Sequence, residues 1–146
     1  MKNHTLRRIA FSLIMAGFPM MGFGQGLVDS ARVIVVSGAT GTQGGAVTRG
    51  LLSQGFTVRG LTRNPNSESS RALSALGAHM VRGDFDDLSS LDAALSGAYG
   101  AFSVQQYRGV GVEGEIRQSK AFADAAKRAN IKHFIYTSVL YARLGT

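Results

Sequence analysis

The segment VSGATGTQGG, Val36 to Gly45, places Gly38, Gly41 and Gly44 at a G-x-x-G-x-x-G spacing, behind an apolar run and ahead of a stretch of helical period. Glycine costs backbone entropy, so such a cluster implies that the main chain itself makes a contact. Between a strand and a helix each glycine has its own task. The first permits the tight turn, the middle one lets the backbone approach a pyrophosphate, and the third lets helix and strand pack. The amides at the start of the helix then face the phosphates with a partial positive charge. Thr40 and Thr42 add hydroxyl donors, and Thr42 also stands where a helix cap belongs. An ordinary glycine-rich turn is the plain alternative; the strand before it and the helix after it favour a dinucleotide.

The choice of dinucleotide is read about twenty residues further on, where an NAD-type domain carries an acidic residue for the ribose hydroxyls. This chain has LTRNP there, with Arg63 nineteen residues past Gly44. A guanidinium pairs with a 2′-phosphate and stacks on adenine, whereas a carboxylate repels that phosphate, so NADP(H) is the expected ligand. A solvated loop arginine is the plain alternative. Asp84, in RGDFDD, is placed to accept from the adenine amino group or from the backbone of its own turn. Asp86 and Asp87 are expected to cap the helix that follows. Gln105, Gln106 and Tyr107 close a strand at the carboxyl edge where open α/β sheets bind ligands. For Lys120 the simple expectation is an i,i+4 pair with Asp124.

The elements that must carry these residues alternate. Strands are predicted at Val33 to Val36, Thr57 to Arg63, Ala78 to Gly83, Gly100 to Gln105 and His133 to Val139. Helices are predicted at Thr42 to Gln54, about Glu68 to Leu76, Leu88 to Leu95, and Glu113 to Ala129. The β-branched run Val33 to Val36 reads as a strand covered on both faces, and the alternation reads as a parallel sheet. The expected fold is therefore α/β, a Rossmann-type doubly wound parallel sheet of about five strands. Phe122, Ala125, Ala126 and Ala129 form one helical stripe toward the core, and Leu88, Leu91 and Leu95 another.

Composition narrows the class. The chain has 146 residues with 45% hydrophobic content, enough for one domain with a core and too apolar for a disordered protein. It has no cysteine, and His4, His79 and His133 show no ligand spacing, so no metal is proposed. The net charge is +7, but residues 25 to 146 carry 13 basic against 9 acidic groups, dispersed and without interleaved aromatics. That is a solvated surface, and nucleic acid is not an expected partner. Residues 1–28 form an extension with two open readings. A basic start followed by the apolar run Ile9 to about Met21 is a signal-peptide pattern ending near residue 24, which leads out of the cytoplasm; a mis-assigned start near Met20 or Met21 leaves a cytoplasmic protein. The run is too short and interrupted for a stable membrane span. Residues 29–146 are the dinucleotide-binding domain.

On GATGTQGG, VRGLTRNP, GDFDD, GAYGAFSVQ and EIRQSKAFADAAKRANIKHFIYTSV, the stretch from Arg32 to about Val139 resembles the NmrA-like family of atypical short-chain dehydrogenases/reductases. The resemblance implies NADP(H) held by Gly38 to Gly44, Gln43 included, with the 2′-phosphate on Arg63. It also implies adenine beside Asp84 and Phe85, and the ribose–nicotinamide side near Gln106 and Lys120. Lys120 matches the lysine of the family's QGK segment, in which Ser119 is a departure. Family members continue into further elements and a substrate lobe, so a sheet incomplete at its C-terminal end is expected, with self-association through the open edge of the fifth strand.

The usual Tyr-x-x-x-Lys acid–base pair is absent: Tyr99, Tyr107, Tyr136 and Tyr141 are followed four residues later by Ser103, Gly111, Leu140 and Gly145. Three functions stay open. One is an NADP(H)-binding redox sensor with a protein partner; the second is an NAD(P)H-dependent oxidoreductase, for example of quinones; the third is an inactive gene fragment.

Overall fold

The computed structural model describes residues 32–106 and 109–137. The 1–28 extension, Tyr107, Tyr141 and the end of the fifth predicted strand at Val139 lie outside these residues. Among the described residues nine elements alternate: β1 (Val33–Val36), α1 (Thr42–Ser53), β2 (Thr57–Thr62), α2 (Glu68–Ala75), β3 (His79–Arg82), α3 (Leu88–Leu95), β4 (Gly100–Ser103), α4 (Gly111–Arg128) and β5 (His133–Tyr136). The strands form one sheet in the order β3-β2-β1-β4-β5, every neighbouring pair parallel. This is the doubly wound Rossmann order, in which the chain leaves the first strand toward one edge and returns for the fourth toward the other.

Strand alternation sorts the side chains into two layers. Val36, Val58 and Phe102 point to the face where Leu73 of α2 and Val47, Leu51 and Leu52 of α1 pack. Val35, Leu61 and Ala101 point to the other face, against Leu91, Ala94 and Leu95 of α3 and Phe122, Ala125 and Ala126 of α4. Phe122, Leu91 and Leu95 are fully buried, each worth about 1.5–3 kcal/mol by burial of its apolar surface. The stripe predicted on α4 faces the core, with Ala129 packed at its margin. The stripe predicted on α3 needs a correction. Leu88 is 53% exposed, because it is the first residue of the helix, ahead of the turn that meets α4, and Ala94 fills the third core position instead.

Arg59 projects from β2 to the α3 face and donates through Nη1 to the carbonyl oxygens of Ala94 and Ser96. It thereby satisfies acceptors that a helix C-terminus leaves open. β5 is paired on one side with β4 and has Phe134, Ile135 and Tyr136 exposed. Among the described residues no helix is long and apolar enough to cross a membrane.

Helix entry separates the helices. Ser67 Oγ caps α2 by accepting from the amide of Ser70, and Asp87 Oδ1 caps α3 by accepting from the amides of Ser89 and Ser90. The Ser89 hydroxyl also donates to that oxygen at 2.6 Å, and together these donors hold the Asp87 carboxyl below the usual aspartate range. Asp86 does not share the capping role predicted for it. It sits one residue too early, and its carboxylate turns outward to accept from Arg117 at 3.3 Å and Gln118 at 3.2 Å on α4.

Because folding favours the charged form of Asp87, its contribution is complete above the ordinary aspartate range and disappears as pH falls through the lowered value. Asp87→Ala should therefore lower the melting temperature at neutral pH, and its melting curve should converge on that of the wild type as the solution is acidified. Thermal unfolding of both proteins across a pH series checks this; a gap that persists in acid contradicts it.

Candidate functional site

β1 ends at Val36, and the next five residues turn the chain through the glycine loop into α1. Gly38 adopts φ +58°, a left-handed conformation that suits glycine, and its carbonyl accepts the amide of Gly41 at 2.8 Å. The carbonyl also fixes the identity of residue 44. A Cβ on Gly44 would stand 2.2 Å from Gly38 O and 2.7 Å from Ser37 O, so α1 starts against the loop as closely as main chains allow. The first and third glycines thus have the tasks expected of them.

α1 begins without a cap. Gly41 occupies the N-cap position with extended backbone and offers no side-chain acceptor. The expectation that Thr42 caps the helix is corrected: Thr42 is the first helical residue, one position too late for its hydroxyl to turn back onto the following amides. The first loop-closing helical bond is from Gly45 N to Gly41 O. Among the described residues, the amides of Thr42, Gln43 and Gly44 meet no acceptor, and the first turn holds no acidic side chain. An anion placed before these amides would find three donors and the positive end of a twelve-residue helix. Thr40, Thr42 and Gln43 are exposed around this mouth.

The fourth strand supplies the opposite wall. Val104, Gln105 and Gln106 follow β4 beside the glycine loop, and Gln106 Nε2 lies 4.0 Å from where a Cβ on Gly41 would stand. Gln105 is engaged within the protein: its Nε2 donates to Ser103 Oγ at 2.9 Å and its Oε1 accepts from Ser119 Oγ on α4 at 3.2 Å. Ser119 also lies 3.3 Å from Tyr136 Oη on β5. Lys120, the next residue on α4, is exposed, and the i,i+4 ion pair expected with Asp124 is not formed; the ion pairs among the described residues are Arg117–Asp86 and Arg128–Asp92.

The remaining predicted residues stand after β2 and β3. Arg63 is exposed just past the end of β2, at the carboxyl edge of the sheet. Asp84 is half-buried past the end of β3, and its Oδ1 accepts the amide of Asp86 at 3.1 Å, the turn-internal role foreseen as one of its two options. Phe85 packs edge-on against Phe122 with ring centres 5.7 Å apart, joining the α3–α4 layer. The structure brings the glycine loop and Gln106 together, and it sets Arg63, Asp84 and Phe85 along the same carboxyl edge.

Two residues escaped the sequence reading. Arg49, on α1, lines an open groove of about 350 Å³ with Thr40, Gly41, Thr42 and Ser69. Helical side chains lean toward the N-terminus, so its guanidinium reaches back to 3.5 Å from a Cβ position on Gly45. The other is Ser37, fully buried between β1 and β4. Neither carried a signal of its own in the sequence, since a lone arginine on a helix and a serine at a strand end are common.

Comparison with known proteins gives the following. The model of the NmrA-like family matches residues 30–144. An NmrA-like family domain-containing oxidoreductase of Aspergillus hancockii is 41% identical over 115 residues, covering 75% of this chain and 34% of the relative. One from Aspergillus sp. (strain MF297-2) is 42% identical over 117 residues, with the same two coverages. Among solved structures, NmrA, a negative transcriptional regulator, in complex with NADP superposes with a TM-score of 0.66 at 30% identity, over 75% of this chain and 34% of that one. The NADPH-dependent quinone oxidoreductase of Escherichia coli, complexed with NADPH, gives 0.63 at 28% identity, over 76% and 38%. The chain spans about a third of the length of the curated relatives it matches.

The packing at the helix start separates two glycines of α1. Gly44→Ala drives a methyl into the Gly38 carbonyl and should destabilise the fold by about 1–3 kcal/mol. Gly50→Ala meets nothing within 4 Å and should stabilise it by about 0.5–1 kcal/mol. Chemical denaturation of both variants measures the contrast, and equal effects would refute the close contact.

Proposed function

The chain belongs to the NmrA-like family, and on that premise we propose that it is a nicotinamide-dinucleotide-binding domain selective for NADP(H), built to present the coenzyme for hydride transfer. The observation that carries the proposal is the bare mouth of α1: three amides without an acceptor, behind a glycine turn, next to the end of β4. The residues present fit a pyrophosphate. A Cβ at Gly41 would stand 3.2 Å from the Gly38 carbonyl oxygen, closer than an ordinary contact, and no carboxylate guards the first turn.

In this reading the amides of Thr42, Gln43 and Gly44 hold the pyrophosphate, with the Thr40 and Thr42 hydroxyls beside them. Arg63 pairs with the ribose 2′-phosphate from the end of β2. The turn containing Asp84 and Phe85 borders the adenine, and Gln106 and Lys120 border the nicotinamide ribose. When bound, the nicotinamide supplies the hydride; the protein's part is to orient it and keep competing reactions away. Support for hydride transfer comes from the curated relatives, named as oxidoreductases, and from the quinone oxidoreductase bound to NADPH.

A second reading, a sensor of the NADP(H) redox state acting on a protein partner, is favoured by two observations. The chain has no tyrosine four residues ahead of a lysine, and the NADP-bound neighbour NmrA is a negative transcriptional regulator. Both readings need the same coenzyme.

Titration followed by the fluorescence of the reduced coenzyme should show tighter binding of NADPH than NADH. Arg63→Ala should weaken NADPH about ten- to hundredfold, the range of a charge-assisted contact, and leave NADH unchanged; equal wild-type affinities would refute the assignment of Arg63. On adding a panel of quinones to the 146-residue chain, steady loss of NADPH absorbance supports turnover. Bound but unconsumed NADPH supports sensing.

A further inference from the structure

We propose that Ser37 is the positioning residue that sets the distance between the two halves of the coenzyme site, an inference that rests on the dinucleotide reading above. Ser37 is the first residue after β1, and its side chain is fully buried. Its Oγ donates to the carbonyl oxygen of Val104 at 3.0 Å and accepts from the amide of Val104 at 2.8 Å. One hydroxyl therefore satisfies both main-chain polar groups of the residue that follows β4, across a separation of 67 residues in sequence. Ser37 N donates to Phe102 O at 2.9 Å and extends the β1–β4 ladder by one step.

The place of this contact gives it its meaning. β1 and β4 are neighbours, yet β1 leads into α1 on one face and β4 leads toward α4 on the other. The two chain paths diverge here, and the crevice between them is where doubly wound sheets take a dinucleotide. On one side stands the glycine loop, which begins at Gly38, and on the other stand Gln105 and Gln106. Ser37 and Val104 are the adjoining residues, and Val104 Cγ1 lies 3.1 Å from a Cβ position on Gly38. Ser37 touches neither proposed half of the coenzyme. It ties the loop that would hold the pyrophosphate to the segment that would border the nicotinamide ribose.

A positioning role differs from a merely stabilising one in which ligand it affects. Adenosine 2′,5′-bisphosphate occupies only the half formed by the glycine loop and Arg63, whereas NADPH must span both halves. Replacing Ser37 by alanine leaves the Val104 amide and carbonyl without their partner and frees the β4 segment to shift. Ser37→Ala is expected to weaken NADPH about tenfold, the usual consequence of stranding a buried polar pair, and to change the affinity for adenosine 2′,5′-bisphosphate less than about twofold, within the scatter of a site left intact.

Both ligands are titrated calorimetrically against the wild type and the variant as full chains, with thermal unfolding recorded in parallel. A loss confined to NADPH supports the proposal. Equal losses for the two ligands, or no loss for either, overturn it. Should Ser37→Ala not fold, Ser37→Cys, which keeps the shape and weakens both bonds, is read in the same two titrations by the same criterion. A wild-type chain that binds neither ligand rejects the dinucleotide reading and this inference with it, whereas a wild-type chain that binds both leaves that reading standing whatever the variants show.

Discussion

Three amides at the head of α1 meet no acceptor among the described residues, and the glycine turn before them supplies no side chain to cap the helix. A helix can settle its first turn with a serine or an aspartate, as α2 does with Ser67 and α3 with Asp87. At α1 the corresponding position is Gly41. The absence of a cap costs stability in isolation, typically about 1 kcal/mol, which an anion completing the turn would offset. α4, entered from Val110, likewise lacks a side-chain cap. The two uncapped helices follow β1 and β4, the strands that flank the crevice, while the two capped ones lie toward the β3 edge.

Most of the framework could be read from residue patterns because a parallel sheet buries both faces of its strands and makes the alternation coarse and strong. The continuous β-branched run Val33–Val36 and the small-residue stripe of α4 are such signals, and all nine elements lie where periodicity put them, within a few residues. Failures fell where a single step of phase decides the outcome. Leu88 has the right spacing for the α3 stripe but opens the helix, so it faces water. Thr42 has the right chemistry for a cap but stands one residue inside the helix. Asp86 was grouped with Asp87, yet one position along an extended turn directs it to α4 rather than to the amides of α3. Local propensity cannot resolve such offsets; backbone direction can.

The candidate site was legible to a different degree. Its glycines announce themselves, since a contact of 2.2 Å between a hypothetical Cβ and a carbonyl oxygen penalises every other residue at position 44. Contacts across the sheet do not announce themselves. Ser37 and Val104 are 67 residues apart, and nothing in either local stretch indicates that one will clasp the other. The same holds for Asp86 with Gln118 and for Arg59 with the end of α3. The exposed ion pairs Arg117–Asp86 and Arg128–Asp92 add little energy on their own. They do bind α4 to the β3–α3 turn and to α3, which keeps the turn of Asp84 and Phe85 and the helix bearing Lys120 on one support.

The exposed fifth strand has a consequence for the order in which the molecule comes apart. β5 is anchored by its register with β4 from Gly100↔His133 to Ser103↔Tyr136, and by Phe134 against Phe122 at 6.1 Å, while Ile135 on the opposite face has little cover. Local opening follows the thinnest burial, so among the described strands the amide protons of β5 should exchange with solvent earliest, taking the Ser119–Tyr136 contact with them. The sheet would then unzip from its β5 margin inward, and the crevice would lose its β4 wall while the turn into α1 still held its shape.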